Sequence, residues 1–463
     1  MTASPVVVNN TVYAGSFDGT FYAVNAKTGT QRWTFKLTTT PAIDFGRIVS
    51  TATVVPVADP TAAHGSRLVV MFGGDSSLWA LDANTGRELT HIDLDPRDAA
   101  KKAADKAAGN TPTVEVMSSP VAGNVRVGNR SEQRIYVGFD VHNQSGVGRT
   151  GVVALRLLGS KTGSFSFLPV WKVDPETRSV YHGVAGLTEG SGHGFGCGGV
   201  WSSPALDIAD GLVVFGTSSC SNAEDAIAAG ENFAEEMIAA RVDTGQIVWS
   251  FRPGKNAADA HRDYDFGASP NVFTTQSGVT LVGEGRKDAC YYARYAKTGV
   301  EAWHTCAGQP GYVNPDLAIG GFLGTPAVET DAGGRAVRII GSTAIAIPRS
   351  GPDAGKSTIV VRAFNPSNGA VLWRYRLAGP TYASVAVAGG VVFVPDTFTS
   401  SLIALNAQSG VPLAAVPVFG APSSTPAIVG DSVYVTSGTG EQGLPIGQVS
   451  AIQRLTLGGA PTG

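Results

Sequence analysis

A single repeated unit runs through the whole chain of 463 residues, and it limits the fold more than any other feature. In its complete form the unit contains a Ser/Thr-Pro pair, an apolar strand, a strand that ends in Gly, a turn of the form Ala-x-x-x-x-Thr/Ser-Gly and usually a Trp. The first copy is complete, with Ser4-Pro5, a strand at 12–15, a turn at 23–29 and Trp33. Later turns lie at 80–86, 154–163, 240–245, 293–299, 363–369 and 404–410, and an eighth unit runs from Thr425-Pro426 to 449–452.

Each unit holds four short runs in which apolar and polar residues alternate, and this pattern predicts one antiparallel four-stranded sheet. One such sheet cannot bury both of its faces, whereas eight sheets arranged radially cover each other. We therefore predict an all-β fold, an eight-bladed β-propeller of four-stranded antiparallel blades, as a single domain over 1–463. The predicted blades are approximately 3–37, 48–94, 115–173, 199–252, 266–306, 321–377, 381–417 and 422–456.

Trp residues recur on the predicted outer strands, where a large ring can fill the wedge between neighbouring blades. The Gly of the turn leaves room for the ring, and we assign these Trp residues a packing role only. They are Trp33, Trp171, Trp249, Trp303 and Trp373.

The ring could close in two ways, because no strand-like segment precedes the first inner strand. Either the eighth sheet has three strands, or residues upstream of Met1 have been lost.

Composition excludes several classes of protein. Only 15% of the residues are charged and 59 are Gly, which disfavours helical bundles and disordered chains. The 34 Lys and Arg residues nearly balance the 37 Asp and Glu residues, and no basic run contains interleaved aromatics. We therefore expect no nucleic-acid partner. No run approaches the roughly 18 apolar residues of a membrane span, so we expect none.

Two polar, Ala-rich insertions interrupt the repeat, at 95–110 and 222–237. Their charges recur at a spacing typical of helices, and we predict two short helical insertions. Solvated surface helices are one interpretation of these segments. A lid over a pocket is the alternative.

The four cysteines bear on the compartment in which the protein works. Cys290 and Cys306 flank one predicted hairpin, and Cys197 and Cys220 flank another. We predict one disulfide across each hairpin, because the paired Cα atoms then lie within roughly 7 Å. Four separate buried thiols are the alternative. Met1 leads directly into a strand-like segment, so disulfides predict a periplasmic or secreted protein whose signal peptide is absent from this sequence.

Three chemically distinctive residues fall on loops of the fourth and fifth blades. Trp201 follows a Gly-rich segment, Asp265 lies in the loop that begins at His261, and Lys287 lies in the loop 283–288. Such loops open on the funnel face of a propeller, so we expect the three residues to converge there. This combination predicts a site for a planar anionic ligand. The indole would stack on the ligand, the ammonium would pair with its charge, and the carboxylate would act as a base. Solvated side chains at loop tips are the alternative.

At these residues the sequence resembles the pyrroloquinoline quinone (PQQ) dependent alcohol dehydrogenases, and within them the polyvinyl-alcohol-dehydrogenase-like group. The segments 200–204 and 261–266 carry the resemblance together with the repeat. The resemblance implies that Trp201 forms the floor under the quinone, Lys287 contacts the quinone oxygens and Asp265 is the catalytic base. The implied function is PQQ-dependent oxidation of an alcohol or sugar hydroxyl, on a small or polymeric substrate, with electrons passed to an external acceptor such as a cytochrome.

The resemblance also implies a calcium ion that polarises the quinone carbonyl, and here the sequence departs from the family pattern. The Glu of the third blade is missing, and Ser219 stands in place of the Asn of the fourth blade. The candidate metal ligands are therefore Asp265, Asn143 and Ser219. Two alternatives stay open: a binding or scaffold propeller without catalysis, and a metal-dependent enzyme that uses histidines of the funnel. Those histidines are His142, His193 and His261.

Overall fold

The computed structural model describes most of the chain, and nearly all of its regular structure is β-strand. The described residues are 3–38, 46–220, 222–254, 263–310, 312–314, 317–318, 320–342, 346–347, 354–356, 358–379, 381, 383–438 and 450–456, with the backbone alone at 310, 312–314, 317–318 and 346–347.

Antiparallel sheets follow one another along the chain, and within each blade the strands lie side by side in the order of the sequence. Blades 1 and 2 contain β1 (Val6–Val8), β2 (Thr11–Gly15), β3 (Thr20–Asn25), β4 (Gln31–Lys36), β5 (Thr53–Ala58), β6 (Ser66–Gly74), β7 (Ser77–Asp82) and β8 (Glu88–Asp93). Blades 3 and 4 contain β9 (Val121–Val127), β10 (Arg130–Phe139), β11 (Gly151–Gly159), β12 (Phe165–Val173), β13 (Val180–His182), β14 (Ala205–Asp207), β15 (Leu212–Gly216), β16 (Met237–Arg241) and β17 (Ile247–Phe251).

The second half of the chain repeats this arrangement. Blade 5 contains β18 (Asn271–Thr274), β19 (Thr280–Gly285), β20 (Cys290–Tyr295) and β21 (Glu301–Cys306). Two small sheets follow, in which β22 (Gln309–Pro310) pairs with β27 (Ala346–Ile347) and β23 (Tyr312–Asn314) pairs with β24 (Leu317–Ala318). Blade 6 contains β25 (Ala327–Thr330), β26 (Ala336–Ser342), β28 (Val360–Phe364) and β29 (Val371–Arg376).

The last two blades complete the ring. Blade 7 contains β30 (Ala386–Ala388), β31 (Val391–Asp396), β32 (Ser401–Asn406) and β33 (Pro412–Pro417), and blade 8 contains β34 (Ala427–Val429), β35 (Ser432–Ser437) and β36 (Ala451–Thr456). The predicted all-β, eight-bladed propeller of antiparallel blades is confirmed. Blade 3 has a fifth strand, β13, and the described part of blade 8 has three strands.

The repeated Trp residues join neighbouring blades, as predicted. Each indole lies against the turn Gly of the following blade, where an added Cβ would come within 2.4–2.8 Å of the ring. Each Nε1–H also donates, at 2.7–3.3 Å, to the carbonyl oxygen three residues before that Gly. The five pairs are Trp33 with Gly86, Trp171 with Gly245, Trp249 with Gly299, Trp303 with Gly369 and Trp373 with Gly410.

A belt of Ser and Thr hydroxyls surrounds the propeller axis. Seven of its residues each donate the backbone N–H to the hydroxyl of the corresponding Ser or Thr in the next blade, at 2.8–3.1 Å. The belt borders an axial cavity of about 460 Å³. Its members are Ser4, Thr51, Ser119, Ser203, Ser269, Thr325, Ser384 and Thr425.

Blade 8 meets blade 1 through direct contacts. The backbone N–H of Thr425 donates to Oγ of Ser4 at 3.0 Å, and Oγ1 of Thr436 donates to the carbonyl of Ala3 at 2.8 Å. These bonds join the last blade to the first in the described part of the chain, where the last blade has three strands, and both alternatives for closure stay open.

Both insertions contain a helix. Helix α1 (Ala99–Ala108) begins after Asp98, whose carboxylate accepts the N–H of Lys101 at 2.7 Å, and ends at Gly109 in a left-handed conformation. Helix α2 (Ala223–Ala228) is shorter and buries only Ala residues. In the part of the chain that the structure describes, no helix has the length and apolar character needed to span a membrane.

Candidate functional site

Trp201, Asp265 and Lys287 come together at one place in the structure. Trp201 precedes β14, Asp265 precedes β18, and Lys287 lies in the turn between β19 and β20. The indole Nε1–H of Trp201 donates to Oδ2 of Asp265 at 3.3 Å, and Nζ of Lys287 donates to the same oxygen at 3.0 Å. The convergence expected from the sequence is therefore present, whereas the roles of these residues stay predictions.

Protein donors hold the carboxylate of Asp265. The backbone N–H of Ser219 donates to Oδ1 at 2.6 Å, while Oδ2 accepts from Trp201 and Lys287. The backbone N–H of Lys287 also donates to the carbonyl oxygen of Asp265 at 2.9 Å. Asp265 is only 4% exposed, so these contacts give its carboxylate one orientation.

Lys287 bridges two carboxylates. Its Nζ lies 2.9 Å and 3.0 Å from the two oxygens of Asp263, in addition to its contact with Asp265. Burial lowers the pKa of Lys287, but the charges of Asp265 and Asp263 outweigh burial and raise this pKa above its usual value. Lys287 is therefore a cation at neutral pH. Burial and repulsion from Asp265 raise the pKa of Asp263 to about 7, against the opposing effect of Lys287.

The indole of Trp201 is half-buried, and one of its edges rests on Gly267. A Cβ built on Gly267 lies 2.7 Å from Cη2 of Trp201, so a larger residue there would displace the ring. Nζ of Lys287 lies 5.7 Å from the centroid of the indole, within the range of a cation–π contact. The ring is thus held at its edges, with a cation near its face.

The candidate metal ligands also lie together. Nδ2 of Asn143 donates to Oγ of Ser219 at 3.3 Å, and the backbone of Ser219 contacts Asp265. A further carboxylate, Asp140, accepts the N–H of His142 at 3.0 Å, and its pKa is raised chiefly by burial, with a contribution from the charge of Asp265. Among the described residues, no group of three or more His, Cys, Asp or Glu side chains is placed to hold a metal ion.

The predicted funnel histidines have different surroundings. Nε2 of His142 lies 3.1 Å from Oε2 of Glu115. His193 is exposed on the Gly-rich loop, and His261 lies outside the described residues. The histidine metal site therefore stays a prediction, and His142 already contacts the carboxylate of Glu115.

A buried ion pair supports the loops of the site. Arg286 is only 2% exposed and donates from its two Nη atoms to Glu235 and Asp288, each at 2.9 Å. The second carboxylate oxygen of Glu235 accepts the backbone N–H of Tyr264 at 3.0 Å. Burial raises the pKa of Glu235 to about 8, although Arg286 favours its charged form. The pair links blade 4 to the loop that enters blade 5.

Both predicted disulfides are present, Cys197–Cys220 and Cys290–Cys306. Cys290 and Cys306 lie directly opposite each other where β20 pairs with β21. The other disulfide ties the Gly-rich segment to the loop after β15, and both of these segments contribute to the site. The alternative of four separate thiols was wrong.

Sequence reasoning assigned no role to Asp263, Asp140 or Glu235. Asp140 stands directly after β10 and Glu235 shortly before β16, while Asp263 lies two residues before Asp265. The sequence feature that could have pointed to these residues is an acidic residue next to a buried strand, because a buried carboxylate requires a partner. The identity of those partners depends on contacts between blades.

Comparisons with known proteins agree with this description. Residues 1–307 match the family of the β-propeller domain of glucose, ethanol and alcohol dehydrogenases, designated PQQ, and residues 357–454 match the family of the outer membrane protein assembly factor BamB. A polyvinylalcohol dehydrogenase from a Pseudomonas species is 23% identical over 467 aligned residues, which cover 84% of this chain. The chain spans 65% of the length of that relative.

Solved structures share the fold at low sequence identity. A quinohemoprotein alcohol dehydrogenase from Pseudomonas putida HK5 has a TM-score of 0.62 and 15% identity, over 95% of this chain and 70% of that one. A europium-containing methanol dehydrogenase has a TM-score of 0.60 and 16% identity, over 94% of this chain and 82% of that one. Because the first family matches residues 1–307, well over half of the chain, this protein belongs to the PQQ family of glucose/ethanol/alcohol dehydrogenase β-propeller domains, and the resemblance inferred from the sequence is confirmed.

Proposed function

We propose that this protein is an oxidoreductase that uses PQQ to oxidise an alcohol or a sugar hydroxyl. The observation that carries the proposal is the direct contact of a buried carboxylate with an indole and an ammonium. Oδ2 of Asp265 lies 3.3 Å from Nε1 of Trp201 and 3.0 Å from Nζ of Lys287. This arrangement combines an aromatic surface, a fixed cation and a potential base, which are the groups that such a reaction requires.

The residues of the site fit a planar anionic cofactor. Trp201 is only half-buried and offers an aromatic surface. Gly267 has no side chain that would push the indole out of this position. Lys287 would pair with the negative charges of the cofactor, and the raised pKa of Lys287 keeps its ammonium charged at neutral pH. PQQ, when bound, would supply a two-electron acceptor for hydride.

Calcium fits these residues poorly. Ca²⁺ takes roughly six to eight oxygen ligands, among which carboxylates are prominent. Both carboxylate oxygens of Asp265 already accept protein donors, and the ammonium of Lys287 lies 3.0 Å from one of them. The other candidate ligands, Asn143 and Ser219, are neutral. The proposed reaction therefore assigns no role to a metal, and calcium stays a prediction.

The side chains divide the proposed reaction between them. Asp265 accepts the proton of the substrate hydroxyl as the O–H bond breaks and the C=O bond of the product forms, and the hydrogen on the adjacent carbon would pass with its electron pair to the quinone. Lys287 stabilises the negative charge that develops during this transfer. The backbone N–H of Ser219 and the indole N–H of Trp201 keep the carboxylate of Asp265 in place.

We further propose that the protein works in an oxidising compartment, either periplasmic or extracellular. The two disulfides support this proposal, because such bonds persist mainly outside the reducing cytosol. The electrons would then pass to an external acceptor such as a cytochrome. The substrate would be a small or polymeric alcohol or a sugar.

Cofactor binding tests the first part of the proposal. PQQ is titrated against the purified protein, with and without added calcium, while Trp fluorescence and quinone absorbance are followed. We expect saturable binding that Trp201→Ala weakens at least tenfold and Trp201→Phe largely retains, since Phe keeps an aromatic face. Unchanged binding by Trp201→Ala would contradict the assignment of this residue.

Turnover tests the second part. Asp265→Asn is expected to retain PQQ binding and to lower dye reduction with alcohols by about 10²- to 10⁴-fold, because the proton acceptor is lost. The matched control is Asp331→Asn in an exposed turn, which should leave the rate unchanged. PQQ binding without turnover on any alcohol or sugar would instead favour the binding or scaffold propeller.

A further inference from the structure

Glu235 contacts three segments of the site. Its carboxylate oxygens accept from two different loops: Oε1 accepts the backbone N–H of Tyr264 at 3.0 Å, and Oε2 accepts Nη2 of Arg286 at 2.9 Å. The backbone N–H of Glu235 donates to the carbonyl oxygen of Ser218 at 3.2 Å. One residue of the second insertion thus joins three loops that belong to blades 4 and 5.

Two of these contacts adjoin the charged groups of the site. Tyr264 stands between Asp263 and Asp265, whose carboxylates both contact Nζ of Lys287. Arg286 directly precedes Lys287 in the chain. Because covalent neighbours move together, the bridge between these two loops limits how far the aspartates can move from the ammonium.

The third contact adjoins one of the donors to the carboxylate of Asp265. Ser218 directly precedes Ser219, whose backbone N–H donates to Oδ1 of Asp265 at 2.6 Å. The backbone of Glu235 therefore restrains the loop that presents this donor, in addition to the two loops that its carboxylate joins.

Burial strengthens the bridge. Glu235 is 0% exposed and Arg286 is 2% exposed, so water does not compete for the contact between them. The guanidinium of Arg286 also lies 5.2 Å and 5.5 Å from the ring centroids of Tyr264 and Phe266, within the range of cation–π contacts. The two loops are thus held to each other by charge, by hydrogen bonds and by aromatic contact.

The backbone at Glu235 is strained. Ala234 and Glu235 have φ values of 60° and 54°, in the left-handed region that favours glycine. The carbonyl of Ala234 accepts Nε of Arg252 at 2.7 Å, and a Cβ built on Gly198 would lie 3.2 Å from the methyl group of Ala234. Residues in such conformations persist only where the surrounding structure enforces them, and they cluster at functional sites.

The neighbouring residue provides a matched comparison. Glu236 is 2% exposed, and its Oε1 accepts from Nη2 of Arg178 and from Nη2 of Arg252, each at 2.6 Å. Both glutamates are therefore buried and paired with arginine. They differ in direction, because Glu235 presents its carboxylate to the loops of the site, whereas Glu236 presents its carboxylate to Arg178 and Arg252.

We propose that Glu235 is a positioning residue of the proposed reaction, which holds the loops of Asp265 and Lys287 against each other so that the proton acceptor and the cation stay in contact. The proposal rests on the proposed function, since the contact that it preserves is the one assigned to the reaction. Glu235 acts through Tyr264 and Arg286. A displacement of about 1 Å at reacting groups can lower a rate by roughly 10²-fold, so loss of Glu235 should affect turnover more than substrate binding.

Glu235→Met tests the proposal, and Glu236→Met is the matched control. Met has a side chain of similar length and offers neither Tyr264 nor Arg286 a carboxylate oxygen. Each variant removes one buried carboxylate that is paired with arginine, so the two should lose comparable stability. Only the first variant removes a carboxylate that contacts the loops of Asp265 and Lys287 in the described structure.

Hydrogen exchange of backbone amides in the ligand-free protein, followed by mass spectrometry, reports on the loops directly. We expect exchange in the three loops to become at least tenfold faster in Glu235→Met and to change less than threefold in Glu236→Met. The peptides to follow cover residues 217–220, 263–266 and 286–289. Unchanged exchange in Glu235→Met, or equal acceleration by the two variants, would overturn the proposal.

Turnover gives the second readout. With PQQ bound, the rate of dye reduction per PQQ-binding site should fall at least tenfold in Glu235→Met, with the KM for the alcohol within threefold of its wild-type value. Glu236→Met should keep the wild-type rate per site. A merely structural role would lower the number of binding sites instead, so an unchanged rate per site in Glu235→Met would overturn the proposal.

Failure of the proposed function is distinguishable from failure of this inference. If the unmodified protein neither binds PQQ nor turns over, the proposed function fails, and the exchange comparison still decides whether Glu235 holds the loops. If Glu235→Met does not fold, exchange of the unmodified protein in low guanidinium chloride decides instead. The amides of the three loops should then exchange through one common opening with one denaturant dependence, and three separate openings would overturn the proposal.

Discussion

Gly369→Ala tests whether the Trp and turn Gly pairs hold the blades together. The backbone of Gly369 has φ 71°, and a Cβ added there would lie 2.4 Å from Cε3 of Trp303 and 2.5 Å from Oγ1 of Thr305. Trp303 is 6% exposed, and its Nε1–H donates to the carbonyl of Pro366 at 2.9 Å. The ring is therefore confined on all sides and has little freedom to withdraw.

Three effects set the magnitude of the change. An Ala in this left-handed conformation costs about 1–2 kcal/mol relative to Gly. The overlap with Trp303 adds overpacking strain of about 1–3 kcal/mol, because normal carbon contacts are roughly 3.5–4.0 Å. Withdrawal of the indole to relieve this strain would weaken its buried hydrogen bond, which contributes about 1 kcal/mol. We expect Gly369→Ala to lower the free energy of unfolding by about 2–5 kcal/mol, the sum of the backbone and overpacking costs.

Equilibrium unfolding in guanidinium chloride, followed by Trp fluorescence with the disulfides intact, measures this change. Gly355→Ala is the matched control, since Gly355 has φ 74° and a Cβ on it meets no described atom within 4 Å. The control should lose only the roughly 1–2 kcal/mol of backbone strain. If both variants lose the same free energy of unfolding, the packing of the Trp303 indole does not require a Gly at position 369, and the reasoning is refuted.

Three further predictions concern other parts of the molecule. Glu284 is fully buried, burial raises its pKa well above the usual value, and neither of its oxygens has a hydrogen-bond partner among the described residues. The native state therefore keeps a proton that the unfolded chain releases above about pH 4.3. As the pH rises above this value, the free energy of unfolding of the wild type should fall relative to that of Glu284→Met. The expected slope is about 1.4 kcal/mol per pH unit, until the pKa of Glu284 in the native state is reached. Unfolding at pH 5, 6 and 7 measures this, and a pH-independent difference would contradict it. Tyr434→Phe should lower the free energy of unfolding by about 1 kcal/mol, because the bond from the hydroxyl to Ala26 across the closure is lost, and an unchanged unfolding midpoint would argue against that bond. Thiol titration of the unfolded protein should find no reactive thiol before reduction and four after it, and any thiol before reduction would be inconsistent with both disulfides.

The predictable part of the site followed from the architecture. Trp201, Asp265 and Lys287 were expected to converge because loops of neighbouring blades open on one face of a propeller. The distances of 3.3 Å and 3.0 Å to Oδ2 of Asp265 agree with that expectation. Their partners were not predictable in the same way. The bond from Arg286 to Glu235 joins residues of different blades, and no local pattern specifies such a pair.

The amino-acid sequence alone determined the propeller, because strand alternation, the turn Gly and the Trp are local features that recur in the same order in most units. It also placed Cys290 opposite Cys306, since a hairpin sets the register between its own strands. Only the tertiary structure decided which carboxylates surround Lys287 and which carboxylate of another blade pairs with Arg286. The physical reason is that charge pairing and burial depend on side chains brought together across blades, whereas backbone conformation and strand register depend mainly on near neighbours in the chain.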